Sequence, residues 1–196
     1  MTNTDLDPLA RMVAGAAVPD PEPAPNWPQN LERGVMNERE LRNLKVPERE
    51  MLVAPFFRVG DFGIISAQRG VGKTWLSCLI ARGVSQGGPI GLWTCPRAQR
   101  VMVVDGEMPL DLIQERYQQF GEPLENLMFL HHQVLHDMTG QDLDLSVQAV
   151  REALVAVCVA RGVRLLILDN QSTLLRSVSE SEPDSWTRVL PFLLKL

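Results

Sequence analysis

The stretch that decides the fold is Ala67-Gln68-Arg69-Gly70-Val71-Gly72-Lys73-Thr74, which directly follows the apolar run Phe62-Gly63-Ile64-Ile65-Ser66. The order of residue types is that of a phosphate-binding loop between a buried strand and a helix, with Ala67 at the usual position of the first glycine. Gly70 and Gly72 let the backbone turn its N–H groups toward phosphate oxygens, and the following helix adds its positive N-terminal dipole. The stretch therefore predicts a site for a nucleoside triphosphate.

The same loop supplies the candidate ligands. Lys73 has the length to reach the β- and γ-phosphates, and the Thr74 hydroxyl can ligate Mg²⁺. The predicted cofactors are a nucleoside triphosphate and Mg²⁺. The predicted nucleotide-binding set is Gln68, Arg69, Gly70, Val71, Gly72, Lys73, Thr74 and Trp75. The alternative is a glycine-containing turn that only happens to carry Lys-Thr, and the flanking strand and helix disfavour it.

Composition fits one globular domain with appendages. The chain has 196 residues, of which 45% are hydrophobic, and a formal net charge of −5. That charge disfavours broad electrostatic wrapping of nucleic acid, although a local site such as a ring's central channel stays compatible with it. We expect no membrane segment and no secretory leader, because no apolar run is long enough and no basic segment precedes one. Cys78, Cys95 and Cys158 lack paired spacing, which predicts a reduced, cytoplasmic location.

The N-terminal part is predicted to lie outside the core. Residues 1–30 are proline-rich and predict a disordered tail, either a plain tether or an arm that binds a partner. Residues 31–58 predict a short extension, with a helix over 37–45 capped by Asn37 and a small strand or lid over 51–58. The core is predicted over 59–196.

Alternating strand and helix patterns in that core predict an α/β layered fold with a mainly parallel sheet. The predicted strands are 62–66, 100–105, 126–131 and 163–169. The predicted helices are 73–85, with Leu76, Leu79, Ile80 and Val84 on one face, 110–120, and 147–160 with Ser146 as N-cap. A Gly/Pro-rich turn is expected after the first helix. A further apolar helix from Glu182 carries no cap at Leu196, so we expect the chain to be truncated before its last core elements.

Acidic residues end two of the predicted strands. Asp169 fits the second acidic motif of nucleotide hydrolases and is a candidate Mg²⁺ ligand opposite Thr74; a turn-capping Asp is the alternative. Glu107, just beyond Asp105, is the candidate for orienting the water that attacks the γ-phosphate, with Asp105 in support. Two solvated turn acids are the alternative there. Because ligands collect at the carboxyl ends of parallel strands, both acids are expected beside the phosphate loop.

Other candidates carry weaker patterns. His132 and His136, with His131 and Asp137 beside them, could form a metal pair on a helix, but the segment predicts a strand entering a loop. Arg69 and Arg116 could contact phosphate or a neighbouring subunit, or lie at the solvated surface. Trp75 and Trp93 are expected to pack rather than to stack on nucleic acid.

Three motifs together resemble one family. The loop "AQRGVGKTW", the strand "RVMVVDGEMP" followed by Leu112 and Arg116, and "LLILDNQSTLL" occur in the order and spacing of the RecA-like ATPases. The likeness is greatest to the branch that contains the plasmid replicative helicase RepA and related phage and plasmid ATPases. It covers residues 46–196 and departs from the family at Ala67 and at Gln171, where an apolar residue is expected.

The resemblance implies a RecA-like three-layer sandwich that hydrolyses ATP with Mg²⁺. It assigns Glu107 and Lys73 as catalytic residues and Thr74 and Asp169 to the metal. It also implies a homo-oligomeric ring acting on single-stranded DNA in plasmid or phage replication. The family's sensor strand, DNA-facing loops and arginine finger would lie beyond Leu196. A nucleotide-dependent switch or helicase loader that binds partners without translocating is the main alternative. A small-molecule kinase is disfavoured, because no acceptor site or lid is evident.

Overall fold

The computed structural model describes residues 26–175, except for the side chain of Gln171. These residues form two compact units, one ending at Pro47 and one beginning at Glu48. The helix predicted from Glu182 and almost all of the predicted tail lie outside the described residues. The boundaries predicted at 30/31 and 58/59 stay predictions.

The first unit contains two short helices, α1 (Trp27–Gly34) and α2 (Glu38–Asn43). The predicted cap of α2 is confirmed: the Asn37 side chain accepts a hydrogen bond from the Glu40 backbone N–H, and the Glu40 carboxylate accepts one from the Asn37 N–H. This reciprocal capping box satisfies two N–H groups that a helix start leaves without partners.

A parallel three-stranded sheet is the centre of the second unit. Its strands are β5 (Val101–Asp105), β6 (Leu127–His131) and β7 (Leu165–Asp169), in the order β6-β5-β7. The predicted strands over 100–105, 126–131 and 163–169 are therefore confirmed. In the register of the sheet, Asp105 pairs with His131 on one side and with Asp169 on the other. Three polar residues thus end the three strands at one edge.

Helices cover both faces of this sheet, and β5 is buried along its whole length. Alternate residues point to opposite faces of a strand. On one face, Val101 and Val103 share a hydrophobic cluster with Ala81 and Val84 of helix α3 (Lys73–Gln86). On the other face, a second cluster joins Met102 and Val104 to Leu154 and Cys158 of a later helix, Gln148–Arg161. The fold is therefore an α/β P-loop fold with three layers.

The remaining elements connect these layers. An antiparallel pair, β1 (Met51–Val53) and β2 (Phe57–Arg58), agrees with the small strand expected over 51–58. A hairpin of β3 (Gly88–Ile90) and β4 (Trp93–Cys95) replaces the expected turn. The other helices are α4 (Leu110–Gln118), α5 (His132–Thr139), α6 (Gln148–Arg161) and α7 (Gln171–Leu174). Among the described residues, no helix has the length and apolarity needed to cross a bilayer.

Three further expectations about the fold are wrong in whole or in part. Residues 62–66 form no strand, and Phe62, Ile64 and Ile65 are exposed, because no strand within residues 26–175 pairs with them. The N-cap of α6 is Val147; the Ser146 N–H instead bonds the Asp144 carboxylate. Of the face predicted for α3, Val84 is buried and Ile80 packs against the core, but Leu79 is exposed. Cys78 and Ala81 complete the buried face.

Candidate nucleotide site

The phosphate loop has the backbone conformation that its glycines predict. Gly70 and Gly72 have φ angles of 86° and 95°. A Cβ atom at either position would find no described atom within 4 Å. The need for glycine is therefore conformational, because L-residues rarely adopt positive φ, and is not a matter of space.

Helix α3 presents an open N-terminus to this loop. Gly72 is its N-cap, no side chain among the described residues caps it, and its first turn contains no acidic residue. The first N–H groups of a helix lack intrahelical partners and carry its positive partial charge. This end of α3 is therefore suited to an anion.

The Lys73 side chain folds back over the loop. Its Nζ atom donates hydrogen bonds to the carbonyl oxygens of Ala67 at 2.8 Å and Gln68 at 3.0 Å. The ammonium group is thus held at the mouth of the loop by neutral acceptors. Phosphate oxygens would form stronger, charge-assisted bonds with it.

Thr74 and Asp169 lie together, as the sequence predicts. Their side chains line the same cleft. Burial and the nearby charge of Asp105 raise the pKa of Asp169, and the Thr74 hydroxyl beside it opposes that rise. These groups offer oxygen atoms, which are the ligands Mg²⁺ prefers, and a cation would relieve the repulsion between the carboxylates. The donor set therefore fits a magnesium ion.

The turn that follows β5 carries Glu107. Asp105 is 4% exposed, and its Oδ1 atom accepts hydrogen bonds from the backbone N–H groups of Glu107 at 2.9 Å and Met108 at 2.8 Å. The Glu107 carboxylate accepts a hydrogen bond from the Asn170 side-chain amide, and Arg69 lies 3.9 Å from it. Asp105 thus holds the turn, while Glu107 carries a partly exposed carboxylate.

Gly106 lets this turn approach β7 and α7. Its N–H donates to the Asp169 carbonyl at 2.9 Å. A Cβ atom there would lie 2.7 Å from Leu174 Cδ2 and 2.8 Å from Thr173 Oγ1. Glycine is therefore required by close packing against α7.

An open cleft of about 1120 Å³ brings these groups together. Of the predicted nucleotide-binding residues, Gln68 and Val71 do not line it, although the Gln68 carbonyl contacts Lys73 and Val71 lies exposed in the loop. The other predicted site residues do line it: Arg69, Gly70, Gly72, Lys73, Thr74, Trp75, Glu107 and Asp169. The sequence-predicted groups thus converge on one cleft.

Two further residues line this cleft, although the sequence did not settle where either of them would lie. Arg116 lies 5.3 Å from the Trp75 ring, and its Nη1 atom is buried without a hydrogen-bond partner among the described residues. Trp75 also packs edge-on against Phe120, so its contacts favour packing. Asn170 gave no sequence signal except that it directly follows Asp169.

The histidine segment differs from its prediction. Residues 132–139 form helix α5 rather than a loop, and His136 lies 3.1 Å from Asp142. Ligand atoms of Asp105, His131 and His132 lie within 4.8 Å of one another. However, the His131 ring already uses both nitrogen atoms, for the Met108 carbonyl and the Gln133 N–H. This group is a hydrogen-bonded turn rather than an open ligand set.

The fold and the cleft define a P-loop nucleotide-binding domain. A family profile described as an AAA domain matches residues 28–195, and the chain belongs to that family. Searches of curated proteins and of solved structures found no match to the chain.

Proposed function

We propose that this domain is a RecA-like, Mg²⁺-dependent ATPase related to the plasmid helicase RepA. One observation carries the proposal: Asp105 and Asp169 end neighbouring parallel strands in register, beside Thr74 and the turn of Glu107. In RecA-like enzymes the water-orienting glutamate is on the strand after the phosphate-loop helix. Glu107 follows β5, the first strand of the central sheet after helix α3, and this placement supports the same role.

In this proposal, different residues of the chain bind the phosphates, hold the metal and orient the attacking water. The loop N–H groups, Lys73 and the α3 N-terminus bind the phosphates and stabilise their charge. Thr74 and Asp169 would hold Mg²⁺, which neutralises charge on the phosphates when bound. Glu107 accepts a hydrogen bond from the attacking water, and this bond turns a lone pair of the water oxygen toward the γ-phosphorus.

We further propose the process that ATP hydrolysis would drive. A homo-oligomeric ring would bind single-stranded DNA and use the energy of hydrolysis to unwind or remodel DNA during plasmid or phage replication. The resemblance to the RepA branch supports this extension. The second candidate is a nucleotide-dependent switch or helicase loader, and the modest net charge of −5 favours partners other than a long nucleic acid.

The test compares ATP turnover and nucleotide affinity for wild type, Glu107→Gln and Lys73→Ala. Glu107→Gln should retain ATP affinity and lose turnover about 100-fold or more, because the glutamine cannot take up a proton. Lys73→Ala should lose nucleotide binding. Unchanged turnover in Glu107→Gln would refute the catalytic assignment.

The partner that stimulates ATP turnover distinguishes the two candidate functions. Turnover stimulated by single-stranded DNA supports the motor, whereas stimulation by a protein alone supports the switch. Turnover in EDTA equal to that in Mg²⁺ would refute the metal assignment.

A further inference from the structure

The geometry points to His131 as a positioning residue for Glu107. His131 ends β6, the strand on the far side of β5 from Asp169. We infer that its imidazole fixes the backbone of the Glu107 turn, so that the carboxylate is aimed at the attacking water. This inference rests on the proposed role of Glu107 and adds a residue from a third strand to that site.

The His131 side chain is 5% exposed and makes two hydrogen bonds with different partners. One ring nitrogen, Nε2, lies 2.8 Å from the Met108 carbonyl oxygen, and the other, Nδ1, lies 3.2 Å from the Gln133 backbone nitrogen. A carbonyl only accepts and a backbone N–H only donates. His131 therefore carries its proton on Nε2 and donates it to Met108.

Glu107 lies between two anchors as a result. On one side the Asp105 carboxylate accepts from the N–H groups of Glu107 and Met108. On the other side His131 donates to the Met108 carbonyl. The Asp105 bonds hold both peptide groups next to the Glu107 Cα, and the His131 bond holds the following one, between Met108 and Pro109. The Glu107 carboxylate itself is half exposed. The backbone therefore determines where that carboxylate can reach.

Such control of position has a large effect on rate. A displacement of about 1 Å at a reacting group can cost on the order of 100-fold in turnover. Loss of the His131 bond would leave the Met108 carbonyl unpaired at a partly buried place, and the turn would move to find another donor. Phosphate binding would be preserved, because the phosphate loop and α3 do not depend on His131.

His131 also caps helix α5, since its Nδ1 atom accepts from the N–H of Gln133. A purely structural role would consist of that cap and of filling space. The two roles use different nitrogen atoms, so two substitutions can separate them. Asn retains a cap acceptor but is too short to reach Met108. Gln places an amide nitrogen near the position of Nε2 but leaves the cap unmade.

The experiment measures ATP turnover, KM and thermal unfolding for His131→Asn and His131→Gln. His136→Asn is the matched control, because His136 is exposed on α5, the helix that His131 caps, and pairs with Asp142. We expect kcat to fall about 10- to 100-fold in His131→Asn with KM within about twofold of wild type. In His131→Gln, kcat should stay within about threefold of wild type although the protein melts at a lower temperature. His136→Asn should match wild type in kcat.

Wild-type kcat in His131→Asn, or equal losses of kcat in both variants, would overturn the positioning role. If His131→Asn does not fold, His131→Gln decides: a loss of tenfold or more in the folded protein overturns the inference, and retained turnover supports it. Turnover of Glu107→Gln, measured in parallel, tests the proposed role of Glu107 separately from the inference about His131. Full turnover in Glu107→Gln refutes the proposed function, whereas its loss together with wild-type kcat in His131→Asn refutes only the inference about His131.

Discussion

Asn170 donates a side-chain hydrogen bond to the carboxylate of Glu107, although the two residues are 63 positions apart in the chain. The Asn170 Oδ1 atom accepts from the Ser172 hydroxyl at 2.7 Å and from the Thr173 backbone N–H at 3.1 Å. Because the amide oxygen faces helix α7, its nitrogen faces Glu107. The start of α7 thus sets the orientation of a group that holds the candidate catalytic carboxylate.

Replacing this amide by a carboxylate should impair hydrolysis without impairing binding. Asn170→Asp retains the oxygen that caps α7 but replaces the donor to Glu107 with a like charge. We expect the repelled Glu107 carboxylate to leave its position and ATP turnover to fall about tenfold. Nucleotide affinity, measured by titration of a fluorescent ATP analogue, should change little. Ser172→Ala is the control, since it removes one bond to Oδ1 and leaves the donor in place; equal turnover in both variants would contradict the role of Asn170.

The conformation of the phosphate loop gives a second prediction. Gly72 has a φ of 95°, and an alanine there costs about 1–2 kcal/mol of strain or forces the loop to change shape. We expect Gly72→Ala to lower ATP affinity about tenfold or more, because the N–H groups would no longer converge on the phosphates. Calorimetric titration with ATP measures this. Gly34→Ala at the end of α1 is the control, because a Cβ there meets no described atom within 4 Å and the backbone is not left-handed; wild-type affinity in Gly72→Ala would show that binding tolerates another loop shape.

The sequence predicts the strands of this sheet better than their pairing. Strands β5, β6 and β7 lie within two residues of their predicted ends, because each is a short apolar run between turn residues. The run over 62–66 has a similar composition but no strand partner among residues 26–175. A strand is stable only when it pairs with a neighbouring strand. A local sequence pattern does not specify which strand edge is available for that pairing. The hairpin over 88–95 was missed because Gly and Pro dominate its first strand.

The same limit applies to the site. The meeting of Thr74, Glu107 and Asp169 in one cleft could be predicted from the sequence. Thr74 belongs to the phosphate-loop motif, and the two acids follow apolar runs at a known spacing. His131 and Asn170 could not be given their roles, because these roles depend on the register between β5 and its two neighbours. The presence of a histidine in the sequence does not indicate which carbonyl oxygen its ring will contact in the fold.

Arg116 gives a third prediction, which concerns binding. Its guanidinium lines the cleft and has a buried nitrogen without a hydrogen-bond partner among the described residues. Its charge also offsets a small part of the rise in the pKa of Asp169 that burial causes. We expect Arg116→Met to weaken ATP binding about tenfold, the loss typical of one hydrogen bond to a charged group. Arg82→Met is the matched control: Arg82 also lies over an aromatic ring, Phe120, and does not line the cleft. Equal ATP affinities in the two variants would contradict a role for Arg116 at the phosphates.

Asp169 gives a prediction for stability against pH. Burial and the charge of Asp105 raise its pKa in the folded protein above the aspartate value of about 3.9. Between these two pKa values the folded state holds a proton that the unfolded chain releases. The free energy of unfolding therefore falls as pH rises through this window, and the full penalty remains above it. Without nucleotide and in EDTA, we expect Asp169→Asn to melt at a higher temperature than wild type near pH 7.5, with the difference shrinking as pH falls.

Asp61 provides a control of opposite sign. The Arg58 backbone N–H and the Arg49 side chain hydrogen-bond its carboxylate and lower its pKa. Its contribution to stability is therefore present above the unfolded value and is lost as pH falls through the folded pKa. Asp61→Asn should accordingly melt at a lower temperature than wild type at neutral pH. If Asp169→Asn also melts at a lower temperature there, the Asp169 carboxylate is stabilised by its surroundings, and the destabilised acid that a bound cation would relieve does not exist.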